Sequence, residues 1–113
     1  MKQTNIPDKR IILRKLKNLL QKHFHDAIKD VILFGSQAAG AAREDSDYDV
    51  LIVLNKDNYD WKYRNHICHV IYDMELEYDI FIDMHIISRY ELFYTLRGAQ
   101  PIFVNAVNKG IYA

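Results

Sequence analysis

Apolar residues recur along the chain with two different periods. Ile12, Leu16, Leu19, Leu20 and Phe24 fall at helical spacing, with Lys9, Arg10, Arg14, Lys15, Lys17 and Lys22 on the faces between them, which predicts an amphipathic helix over about residues 8–26. Pro7 and Asp8 suit its start. The run VILF at 31–34 is short, apolar and stopped by Gly35, the pattern of a buried strand. A second strand is predicted at DYDVLIVL, 47–54, and NKDN at 55–58 is polar enough to turn the chain. Helical spacing returns from Tyr59 to about Glu77 in Tyr63, Ile67, Val70, Ile71 and Met74. YDIFIDMHII at 78–87, rich in Ile and Phe, predicts a third strand. Ser88 and Glu91 have the spacing of a capping box, so a helix is expected over 89–97, closing near Gly98. Pro101 can open a last short helix that Gly110 ends. This order, α-β-β-α-β-α with a helical tail, predicts an α/β (α+β) domain: a three-stranded or slightly larger mixed sheet flanked by helices.

Composition narrows the class. With 113 residues, 50% hydrophobic and 27% charged, the chain has the make-up of one globular domain. Its net charge is zero but unevenly spread: residues 1–29 carry eight Lys/Arg against two acids, and the remainder seven against thirteen. A basic first helix can attract nucleic acid or an acidic partner, and it can equally be a solvated face; the sequence leaves nucleic acid open. Cys68 is the single cysteine, so no intrachain disulfide is possible and a reducing, cytoplasmic setting is expected. No apolar stretch approaches the roughly 20 residues that cross a bilayer, and MKQTNIPDKR lacks the apolar core of a signal peptide.

The candidate chemistry lies in LFGSQAAGAAREDSDYDVLIV. Gly35-Ser36 follows the first strand and leads into small residues, a turn whose backbone N–H groups and hydroxyl can approach a phosphate. No Lys-Ser or Lys-Thr pair follows Gly40, so this is not a Walker loop, and G-x-G-x-x-G is absent. Asp47 and Asp49 share a strand face, about 6.5–7 Å apart at Cα, while Tyr48 points the other way. Two such carboxylates suit a hard cation such as Mg²⁺. A third acid would allow two ions about 3.5–4 Å apart, the spacing used for displacement at phosphorus. An EF-hand loop from Asp45 fails, because its sixth position is Val50 and its twelfth is Lys56. The third carboxylate is sought in the third strand, where Asp79 and Asp83 both occur; Asp79 is preferred, and Asp83 is read as a strand-end acid facing solvent. His23, His25, His66 and His69 lack metal-ligand spacing, His85 reads as a half-buried strand residue, and Cys68 as a core thiol. Trp61, with Tyr59 and Tyr63, reads as packing.

Gly35-Ser36, ten residues, then Asp47-Tyr48-Asp49, with Gly40, Arg43 and Ser46 between, resembles the signature of the minimal nucleotidyltransferases of the DNA polymerase beta superfamily. The resemblance covers most of the chain, 1–113 being expected as one such domain; it departs at Lys109, where the family often has an acid, and at Tyr48, where a smaller aliphatic is common. It implies that Asp47, Asp49 and Asp79 are the catalytic, metal-binding acids for two Mg²⁺ ions. Gly35 and Ser36 would then bind the triphosphate of ATP or another NTP, Arg43 would neutralise phosphate, and Ser46 would orient Asp47. It further implies transfer of NMP, AMP above all, to a hydroxyl of a partner protein, a helical HEPN-type toxin whose antitoxin this chain would be. Two other readings stand beside it: a non-catalytic module that neutralises a partner by binding, and an enzyme with a small-molecule acceptor.

Overall fold

The computed structural model describes residues 8–40 and 47–113. Asp8 caps the first helix, α1 (Lys9–Phe24), by accepting a hydrogen bond from the Arg10 backbone N–H. Its apolar stripe, Ile12, Leu13, Leu16, Leu20 and Phe24, is buried. A single 3₁₀ turn, His25–Ala27, leads into β1 (Ile28–Phe34), longer at its start than VILF alone suggested. A five-residue helix, α2 (Gly35–Ala39), then occupies the glycine-serine segment and ends at Gly40 in the left-handed region. β2 (Tyr48–Leu54) and α3 (Trp61–Tyr78) follow close to their predicted bounds, α3 being capped by the Asp60 side chain.

α3 continues through Tyr78, and Asp79 closes it with φ 54° and ψ 50°, a left-handed cap that Asp tolerates better than most residues. β3 therefore spans Ile82–Ser88 and starts four residues later than the apolar run implied. The Ser88–Glu91 capping box is present and opens α4 (Arg89–Tyr94), shorter than the expected 89–97. α5 (Pro101–Lys109) has Pro at its start and Gly110 at its end, and β4 (Ile111–Tyr112) replaces part of the expected helical tail.

The strands form one four-stranded mixed sheet in the order β3-β2-β1-β4. β1 runs antiparallel to both β2 and β4, and β2 runs parallel to β3 with α3 as the crossover. Strand alternation sorts the core into two layers. Val31, Leu33, Val50, Ile52, Leu54, Ile82 and Ile86 pack against α1 and α3. On the opposite face Ile32, Leu51, Val53 and Ile87 pack against Phe103 and Ala106 of α5. The result is a small α+β domain whose central strands are buried on both faces. Among the described residues, no helix is long and apolar enough to cross a membrane.

Candidate active site

Asp49 belongs to the α5 face of β2, two residues before Leu51, and Tyr48 turns to the other face, where it packs against the α1–α3 core. In the parallel β2–β3 ladder Asp49 is the direct partner of Asp83, so their side chains emerge side by side. His85, two residues on, points to the same face. Ligand atoms of Asp49, Asp83 and His85 all lie within 4.8 Å of one another. Nε2 of His85 stands 3.6 Å from Oδ2 of Asp83, and its ring centroid is 5.5 Å from that of Phe34. His85 is half-buried, as its sequence predicts, and it also joins the acid pair.

β1 supplies the neighbouring wall. Phe34 pairs with Asp49 across the antiparallel ladder, and Gly35 follows with φ +72°. A Cβ at Gly35 would lie 2.5 Å from Oδ2 of Asp49, inside van der Waals contact. Glycine is thus required both by its backbone conformation and by the closeness of the carboxylate. Ser36 is exposed in the first turn of α2 beside it.

The pair is electrostatically loaded. Partial burial first, then the Asp83 charge and a hydrogen bond shared with Asp83, push the Asp49 carboxyl above its ordinary value; His85 opposes this and the Asp47 charge adds to it. Two carboxylates and an imidazole in this arrangement fit a divalent cation, with hard oxygen donors suited to Mg²⁺ or Mn²⁺.

The sequence-derived site is partly reassembled. Gly35, Asp47 and Asp49 come together at the junction of β1 and β2, with Asp47 exposed just ahead of β2. Asp79 does not join them. Its apolar neighbours predict a strand residue, but it is the exposed cap of α3, and β3 brings Asp83 to Asp49 instead. The signal for this was in the sequence: IDMH at 82–85 alternates acid and imidazole onto one strand face, as DYD does at 47–49. Arg43 and Ser46 lie outside the described residues. Among the described residues, Asp49, Asp83 and His85 are the one cluster of three or more side chains that could hold a metal ion.

Fold and site together define an α+β domain with an acidic cluster at the edge of a glycine-serine turn. Residues 13–100 match the nucleotidyltransferase domain family, and the chain belongs to that family. Over 48 residues it is also 40% identical to a protein of Methanocaldococcus jannaschii named "Putative protein adenylyltransferase". That alignment covers 42% of this chain and 46% of the archaeal protein, so the matched chain spans about half the length of its relative.

Proposed function

We propose that residues 1–113 form one minimal nucleotidyltransferase domain that transfers NMP, AMP above all, from an NTP to a hydroxyl group of a partner protein. The observation that carries this reading is the juxtaposition of Asp49 and Asp83 on parallel strands, against Gly35. Family membership supports nucleotidyl transfer, and the relative's name favours AMP and a protein acceptor. The resemblance to small antitoxin members makes a helical HEPN-type toxin the proposed partner, and Cys68 as the lone cysteine supports a cytoplasmic setting.

In this reading Asp49, Asp83 and Asp47 would hold two Mg²⁺ ions, whose chemistry when bound would be to neutralise charge at the α-phosphate and lower the pKa of the acceptor hydroxyl. Gly35 leaves room for phosphate next to Asp49, and Ser36 offers a hydroxyl to it. The acceptor oxygen bonds to the α-phosphorus as the bond to the bridging oxygen breaks, and pyrophosphate leaves with that electron pair. The acceptor proton passes to solvent or to the His85 imidazole beside Asp83.

The test is transfer of label from α-³²P-ATP, with Mg²⁺, to the co-purified partner. Asp83→Asn and Asp49→Asn should each lower transfer by about 100-fold or more, while Asp79→Asn should stay near wild type. Undiminished labelling by the Asp83 variant, or loss confined to the Asp79 variant, would overturn the assignment.

A further inference from the structure

We propose that the cavity between α2 and α5 receives the nucleobase of the NTP, and that Asn105 reads its edge; this rests on the nucleotidyltransferase reading above. This cavity, of about 510 Å³, borders the Asp49–Asp83 cluster, whereas a larger one of about 710 Å³ lies elsewhere on the surface, so position decides between the two. The larger is lined by His23, His66, Cys68 and His69 of α1 and α3, which cover the face of the sheet opposite Asp49. The smaller is bordered by Gly35, which also abuts Oδ2 of Asp49. It therefore opens where substrate phosphate would meet the acid cluster, and it is large enough for a nucleoside.

Its lining fits a base better than a polyphosphate. Phe34, Ala38 and Ile102 make most of its wall apolar, a surface that buries a flat ring. Lys109 is the one cation among the described residues that line it, too few for a chain of phosphates. Asn105 presents both a donor and an acceptor, which is what discrimination between base edges needs. Ile102, Asn105 and Lys109 lie along one face of α5, while Phe103 and Ala106 on its other face are buried in the core. The helix is thus anchored, and the three side chains are presented from a fixed support.

The experiment is equilibrium binding of ATP, GTP, CTP and UTP, each with Mg²⁺, to wild type, Asn105→Ala and Ile102→Trp. Both positions are exposed, so both variants should fold. Wild type should prefer one base; Asn105→Ala should lose about 10-fold for that NTP and little for the others, the size of one lost hydrogen bond. Ile102→Trp narrows the cavity at its apolar wall and should weaken every NTP by at least about 10-fold, as overpacking of a formed pocket does. Wild type that binds NTPs while both variants match it, or that shows no base preference, overturns the pocket and leaves the nucleotidyltransferase reading intact. Wild type that binds no NTP removes both.

Discussion

At Gly35 the backbone adopts φ +72° with Asp49 Oδ2 in the space where a side chain would begin. Gly35→Ala must therefore accept left-handed strain of about 1–2 kcal/mol and also displace a carboxylate. The expected outcome is a lower Tm together with loss of Mg²⁺-dependent transfer. Ser36→Ala, which alters only an exposed hydroxyl, should leave Tm unchanged; calorimetry and the labelling assay read the two effects separately. Residues of this kind were legible in the sequence where the chemistry is contiguous. Gly35, Asp47 and Asp49 stand close together in the chain, so the resemblance to one contiguous signature groups them. Asp83 was not legible in that way, because its neighbour Asp49 belongs to another strand, and only the register of the β2–β3 ladder joins them.

Among the elements, α4 shows how local chemistry fixes a boundary. The Ser88 hydroxyl accepts from the Glu91 backbone N–H, the Glu91 carboxylate accepts from the Ser88 backbone N–H, and Arg97 donates to the same carboxylate at 3.0 Å. Burial pulls the Glu91 pKa upward, but the Ser88 backbone hydrogen bond and the Arg97 charge outweigh it, so the net shift is downward from 4.5. A depressed carboxyl pKa means that the folded state releases its proton more readily than the unfolded one. The stabilisation is then complete above about pH 4.5 and is lost as pH falls through the lower folded value. Glu91→Gln should cost roughly 0.5–1 kcal/mol at pH 7, and the gap to wild type should close in acid; urea melts at several pH values check this. The capping box was readable because Ser88 and Glu91 carry it within one turn. The start of β3 was not: YDIFI looks like strand, yet α3 keeps Tyr78, and Asp79 takes the helix-ending conformation that its side chain permits. β4 was missed as well, since a two-residue strand has no periodicity to find.

For the whole molecule, the acid pair sets two carboxylates side by side on the parallel strands β2 and β3, and that placement has a cost. The Asp49 carboxyl is raised by partial burial and by the charge of Asp83 on the adjacent strand, with Asp47 adding to it. The folded state holds the Asp49 proton to higher pH than the unfolded chain, whose value is near 3.8, so metal-free stability falls as pH rises through that window. Asp49→Asn should remove this slope and raise Tm in EDTA, a gain of about 1 kcal/mol typical of a neutralised site carboxylate. Millimolar Mg²⁺ should raise the Tm of wild type and not of the variant, since only a ligand bound to the folded state stabilises it. Thermal melts from pH 3 to pH 8, with and without Mg²⁺, provide the measurement. The overall architecture was legible because long amphipathic helices and apolar strands alternate distinctly; strand order was not, because pairing is a property of distant segments.

One rim of the sheet is formed by β3, which has β2 on one side and, among the described residues, no strand on the other. Along that rim the Ile82 N–H donates to the Glu75 carboxylate, and the Ile86 carbonyl accepts from both the Tyr59 hydroxyl and the Arg97 guanidinium. Backbone groups that could have templated a foreign strand are thereby occupied by the chain's own side chains. This margin is closed to β-augmentation at Ile82 and Ile86, so a partner protein of the kind proposed would have to read side-chain shape and charge there, which are specific to one sequence, instead of the main chain, which is common to all.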